Sequence, residues 1–263
     1  MTTQTATTAD RAVHPIPTSR IIGVELRKMF DTRSGFWLLT SIGVLSVVAT
    51  AAAIIFAPAS ALSYQTFATA LGFPMTLILP MIAILAVTSE WSQRTGLTTF
   101  TLVPSRGRVI GAKAIATIIV GIVSMLVAFT IGAVGNVVGS TLAGVDTVWN
   151  IGPAHAAQIV LGNLVGMAIG FTLGVVLRNS AGAIVGYFAL SFVLSGILVL
   201  LARVREWFTD LQPWIDWNHT QIALFAGQTS SAQEWAQLGS TTMIWIIIPL
   251  VIGMVLLRRS EVK

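Results

Sequence analysis

Catalysis at a metal, a nucleophile or a phosphate loop needs particular side chains at particular spacings, and the chain supplies few. Its histidines, His14, His155 and His219, lie far apart and form no metal-spaced pair, so the arrangement of a zinc protease is missing. With no cysteine in the chain, a disulfide framework, a thiolate metal site and a cysteine nucleophile are all excluded, and the redox compartment stays undetermined. No G-x-S-x-G nucleophile elbow occurs. The run Gly107-Arg-Val-Ile-Gly-Ala-Lys113 looks superficially like a phosphate loop, but its spacing departs from G-x-x-x-x-G-K-[ST]. Ala114 also stands where a hydroxyl would ligate magnesium. The expectation is a protein that is not itself catalytic, with no catalytic, cofactor or metal residues. Asn218-His219-Thr220 matches a glycosylation sequon, a pattern common by chance, and is assigned no role.

The elements around these residues belong to a membrane. Hydrophobic residues make up 55% of the chain and charged ones 10%, against roughly 25% charged in an average soluble domain. The mean hydropathy is +0.84. Apolar runs long enough to cross a bilayer, which takes about 20 residues, fall at 36–56, 71–88, 114–138, 156–177, 181–201 and 241–257. None of these runs contains a charged side chain. Pro74, Pro80 and Pro249 lie within them, where a proline kinks a helix without forbidding a crossing. Proton- and sodium-coupled carriers generally need an ionisable or oxygen-rich site at depth, so the energy for any transport is expected from elsewhere.

A net charge of +5 invites a nucleic-acid reading, but the basic residues sit at the ends of apolar runs. Placing the amino terminus in the cytoplasm puts 13 of the 15 Lys and Arg residues inside and only Arg203 and Arg205 outside. The acidic residues divide evenly, leaving +8 inside and −3 outside. Five or seven crossings would place Arg258 and Arg259 outside, so six crossings of an inner membrane, with both termini cytoplasmic, are expected. Trp37 and Trp91 at inner boundaries, with Trp149, Trp207 and Trp235 at or near outer ones, fit an aromatic belt. Residues 1–19 read as a disordered cytoplasmic tail without a cleavable signal. Residues 20–263 then form a single transmembrane domain.

Between and before the spans, four pieces stand out. Ile22, Leu26, Met29 and Phe30 recur on one side of a helix, with Arg20, Arg27 and Asp31 opposite, as in an amphipathic helix lying on the inner membrane surface. The connection 89–113 is too long for a turn. At Arg178–Ser180 the chain turns tightly, pairing the fourth and fifth spans as a hairpin. The outer segment 202–240 alternates aromatic and polar residues, suited to short helices that dip into the outer leaflet.

Gly162, Gly166, Gly170 and Gly174 form a stripe along the fourth span, the kind of surface that lets helix backbones approach closely. Packing within one subunit is the plain reading; a subunit interface or sliding surface is the other. Gly182 and Gly186 continue the pattern and favour a packed hairpin. Asn163 and Asn136 are expected to bond between helices rather than to contact substrate.

The connection carries Glu90, Arg94, Thr95-Gly96, Leu97, Phe100, Leu102, Pro104, Ser105-Arg106 and then Lys113 as the third span opens. Leu97, Phe100, Thr101 and Val103-Pro104 give it a short apolar edge that a partner protein could hold. In this pattern the sequence resembles the permease subunits of type-2 ABC exporters. Those proteins have an acid at the end of the second span, a Gly-Thr pair, an apolar stretch, Pro-x-Arg and a Lys opening the third span. Here the order is Thr95-Gly96-Leu97, and Thr98 restores a hydroxyl after the glycine. The Glu25-Leu-Arg-Lys-Met-Phe30 stretch, the six spans and the long last outer loop match as well, so the resemblance covers nearly the whole chain.

The resemblance implies an all-α polytopic membrane protein with six transmembrane helices. An amphipathic surface helix would span 20–33, a coupling helix 91–106, and re-entrant helices would lie between spans five and six. It implies a second permease chain, forming a homodimer or heterodimer, and two copies of a separate ABC ATPase subunit that binds ATP and Mg. Membrane lipid would surround the complex, and no nucleic acid would take part. Residues implied in ATPase coupling are Glu90, Arg94, Gly96, Leu97, Phe100, Pro104, Arg106, Leu26 and Phe30. Uncharged spans suit lipid-like, amphipathic or hydrophobic cargo moved outward by alternating access; no substrate residue is assigned. The competing readings are a gradient-driven carrier or channel and a non-transporting scaffold or sensor.

Overall fold

The computed structural model describes residues 16–92, 105–229 and 231–259. Within them the chain is helical, and no strand occurs among the described residues. Apolar segments of this length satisfy every backbone amide internally only as helices or closed barrels, and the helix is what these sequences adopt.

Helix α1 (Thr18–Asp31) precedes α2 (Arg33–Phe56), with Thr32 capping α2 through its hydroxyl. Then follow α3 (Tyr64–Ser92), α4 (Arg106–Ala143), α5 (Pro153–Leu177) and α6 (Ser180–Val204). Two short helices, α7 (Glu206–Ile215) and α8 (Trp217–Phe225), lead to α9 (Ala232–Leu257). Six of these, α2 to α6 and α9, are long and apolar enough to cross a membrane. They coincide with the six apolar runs but outlast them. Run 71–88 is only the middle of α3, run 114–138 the middle of α4, and run 241–257 the latter part of α9. Hydropathy marks the hydrocarbon-facing part of a helix, whereas the backbone ladder continues into polar sequence.

The spans alternate in direction. One end of the bundle carries α1, the end of α3, the start of α4, the α5–α6 turn and the end of α9; this is called the basic end below. Arg178 turns the chain there with φ +52°, the left-handed conformation that ends α5, and Asn179 Oδ1 accepts the Gly182 N–H to start α6. The expected hairpin is thus made by a C-cap and an N-cap in consecutive residues.

Helices α3 and α5 occupy the middle of the bundle, and α2, α6 and α9 are the most exposed spans. Met75, Leu79, Ala83 and Val87 of α3 pack with Val120 of α4 and Met167, Phe171 and Val175 of α5. The outer helices turn Val47, Val48, Val193, Leu200 and Val251 away from the bundle, a surface that suits lipid tails or another apolar protein face. Pro74 and Pro80 lie inside a continuous α3. Pro249 follows a π-helical turn, Met243–Ile247, whose wider loop relieves the clash of a proline ring with the preceding turn. A second π turn, Ala189–Leu194, interrupts α6.

The buried stripe of α1 differs from the apolar one. Ile21, Glu25 and Met29 face the bundle, Ile22 and Leu26 flank them, and Phe30 stands exposed. Hydrophobicity alone could not put a glutamate at the centre of a buried face; its partners do.

Candidate functional site

Glu25, Lys28, Glu90 and Lys113 meet at the basic end, drawn from α1, the last turn of α3 and the second turn of α4. Lys113 Nζ lies 2.6 Å from Glu25 Oε2 and 3.3 Å from Glu90 Oε1. Lys28 Nζ lies 2.7 Å from Glu25 Oε1 and 3.1 Å from Glu90 Oε1. Each lysine therefore bridges both glutamates. Lys113 is 1% exposed, Glu90 3% and Glu25 4%, so three of the four charges are withdrawn from solvent. Such burial is tolerable only where opposite charges and hydrogen bonds replace water, and Lys113 also donates to the Ala86 carbonyl at 2.9 Å. Lys28 is the exposed member. Burial pulls its pKa down, but the hydrogen bond and charge of Glu25, joined by Glu90, outweigh that and hold it above the usual 10.5.

Two arginines extend this junction. Arg106 donates to the Leu257 carbonyl at the end of α9, and Arg108 donates to the Ile16 carbonyl just before α1. The first turns of α4 thus touch α1, α3 and α9 together. A displacement applied to the start of α4 reaches three other helices through charged contacts rather than through apolar packing alone.

Of the residues expected to couple the protein to an ATPase, Glu90 is in the ion cluster, Arg106 grips α9, Leu26 packs against the core and Phe30 faces outward. Arg94, Gly96, Leu97, Phe100 and Pro104 lie outside the described residues. The sequence marks Glu25 and Lys28 only as part of a motif, and Lys113 as the opening of a span and the last residue of a run that superficially resembles a phosphate loop. Their signal was present as two acids and two lysines at the edges of apolar segments, but nothing local specifies the pairing.

Along α5 the glycine stripe lies against two different elements. A Cβ at Gly170 would come within 2.7 Å of the Pro80 carbonyl oxygen, and one at Gly174 within 3.2 Å of Val87, both on α3. At Gly162 and Gly166 the nearest atoms belong to Phe225 and Gln221 of α8, at 2.7 and 2.9 Å. Gly182 and Gly186 do not share this closeness, with nearest atoms at 3.5 and 3.6 Å, so the hairpin partner α6 is not what the stripe fits. The two asparagines also differ from expectation. Asn163 donates to Ile159 within its own helix, and Asn136 donates to Val148 in the loop that follows its helix.

Away from the basic end, α3, α5, α6 and α8 enclose an open cavity of about 580 Å³. Beside it, at the α7–α8 corner, sits a buried acid that sequence reading passed over. Asp216 is 1% exposed and accepts from Ser195 Oγ at 3.0 Å, Gln212 Nε2 at 3.0 Å and the Asn218 N–H at 3.1 Å. Trp245 Nε1 and Ser240 Oγ donate to the Ile215 and Trp214 carbonyls next to it, tying the corner to α9.

Residues 20–262 match the family model described as ABC-2 family transporter protein. No curated protein is significantly similar to the chain.

Proposed function

The chain belongs to the ABC-2 transporter family, and from that premise we propose that this multi-pass membrane component is the permease of an ATP-driven exporter. Family membership implies an ABC ATPase partner in general terms. The finer reading is that two permeases pair, two separate ATPase subunits dock at the basic end, and substrate moves outward by alternating access. In that reading the basic end is cytoplasmic, α1 lies along the inner membrane surface, and α7 and α8 form the re-entrant pair at the exit side.

The observation that carries the proposal is the ion cluster. Glu90 closes α3 immediately before residues 93–104, and Arg106 opens α4 immediately after them. An ATPase that moves this connection pulls on both helix ends at once. Through Glu25 and Lys28 the same movement reaches α1, and through Arg106 it reaches α9. Buried ion pairs are weak as net stabilisers but costly to break, which suits them to holding several helix ends in one moving body.

Purification gives the test. The chain expressed with a phosphate-loop ATPase encoded beside it should co-purify with that protein, and the isolated chain should hydrolyse no ATP. Transport in vesicles driven by an ion gradient, with no ATPase present, would defeat the proposal.

A further inference from the structure

The cavity between α3, α5, α6 and α8 falls within the several-hundred-Å³ range of small-molecule sites. Its walls are rich in aromatic surface, from Phe73, Tyr187, Phe192, Trp217 and Phe225. Among the described residues, no Asp, Glu, Lys or Arg lines it. Phe73 and Phe192 are largely exposed, and Phe192 belongs to the π turn of α6, which also brings Ser191 to the wall. Such turns recur where a helix is locally reshaped around a function.

The hydrogen bonds of the wall show what it offers a guest. Thr69, Thr76, Tyr187 and Ser191 each donate their hydroxyl proton to a backbone carbonyl, so toward the cavity these groups keep only lone pairs. His155 Nε2 lies 2.8 Å from the Phe225 carbonyl and so carries the proton in the neutral ring, leaving Nδ1 as an acceptor. At the start of α8, where a helix ordinarily attracts anions, the place is already filled by the Asp216 carboxylate. All three groups bonded to Asp216 donate to it, and none is charged. Among the described residues it makes no ion pair. The next two residues, Trp217 and Asn218, line the cavity. A buried carboxylate without a basic partner among the described residues therefore adjoins, in sequence, a wall of aromatic faces, hydroxyl lone pairs and the side-chain amides of Gln65, Asn218 and Gln221.

We propose that this cavity binds a hydrophobic organic cation. Aromatic faces attract a cation electrostatically, the lone pairs accept from an ammonium, and Asp216 supplies the charge. An organic anion of the same size would lose its hydration and meet no Lys or Arg among the described lining residues. The inference deepens the exporter reading by naming its class of cargo, and it rests on that reading only for the step from binding to transport.

Two xanthene dyes of similar size and opposite charge test it by fluorescence anisotropy on the full chain in lipid nanodiscs, without an ATPase. Rhodamine 123, the cation, should bind at least about tenfold more tightly than fluorescein, the anion. Phe73→Ala and Phe192→Ala should each weaken rhodamine 123 by about fivefold, whereas Val47→Ala, on the outward face of α2, should change nothing. Asp216→Asn should shrink the ratio between the two dyes on the order of tenfold. A loss of folded protein lowers both dyes alike, so that ratio reports charge and not stability. Equal affinities for the two dyes, or rhodamine 123 binding untouched by both phenylalanine changes, would overturn the proposal. Either result leaves co-purification with an ATPase unaffected, and an absent ATPase partner leaves the dye preference unaffected.

Discussion

Lys113 of α4 and Glu25 of α1 stand 88 positions apart in the chain, yet their charged atoms meet at 2.6 Å with both side chains almost wholly buried. The contact closes a four-residue ion cluster whose members come from α1, the last turn of α3 and the start of α4. Removing one partner leaves a buried charge with too few counterions, while replacing a pair by apolar groups of similar size can be close to neutral.

Lys113→Met alone should therefore lower stability by roughly 3–5 kcal/mol. Glu25→Leu combined with Lys113→Met should recover most of that loss, because Lys28 and Glu90 remain paired with each other. Chemical unfolding of the four proteins in mixed micelles, taken as a double-mutant cycle, measures the coupling. Additive losses would mean that the two residues do not act as a pair.

The second lysine gives a pH signature. Lys28 is held above its ordinary pKa of 10.5 in the folded chain. Its stabilising contribution is thus fully present below the unfolded value and is lost as the pH rises through the folded one. The stability difference between the wild type and Lys28→Met should stay constant from neutral pH to about 10 and shrink above 10.5. Unfolding midpoints of both proteins across that range provide the check; a difference that shrinks below pH 9 would assign it to another group.

Close backbone approach predicts a contrast between two glycines. Gly170→Ala would drive a methyl group into the Pro80 backbone, and Gly170 should lose about 1–3 kcal/mol on that change. Gly186→Ala has room at 3.6 Å and should be neutral or stabilise by about 0.5–1 kcal/mol through helix propensity. Similar unfolding midpoints for the two variants would contradict the packing described for α5.

These particulars show why some of the fold was legible in the residues and some was not. Hydropathy found all six spans because apolar run length is a local property. It missed the polar ends of α3, α4 and α9, since helical hydrogen bonding does not stop where lipid does. The glycine spacing marked a close-packed face on α5, but not that the face meets Pro80 of α3 and Phe225 of α8 rather than α6. The periodicity of α1 marks its apolar side but not the burial of Glu25, which Lys113 accounts for and no helical periodicity reveals. Asp216 escaped for the same reason: Ser195 and Gln212 neutralise the cost of burying it, and neither looks like a ligand in sequence. The family pattern around Glu90, Arg106 and Lys113 was readable, while the geometry that brings Lys113 onto Glu90 and gathers Glu25 and Lys28 around the pair was not.

A clasp at the other side of the connection offers a further check. Arg106 reaches the Leu257 carbonyl, so Arg106→Ala should release the end of α9 from the start of α4. Hydrogen exchange in the last turns of α9 should then speed by about tenfold, the effect of losing one to two kcal/mol of local protection. Unchanged exchange there would remove α9 from the set of helices that move with α4.

The most direct test of the central claim is transport per ATP hydrolysed by the reconstituted permease–ATPase complex carrying Glu25→Leu with Lys113→Met. The ion cluster, as the link from the connection to α1 and α4, predicts a complex that still assembles and hydrolyses ATP but transports roughly tenfold less per ATP than the wild type. A transport-to-hydrolysis ratio equal to that of the wild type would contradict it.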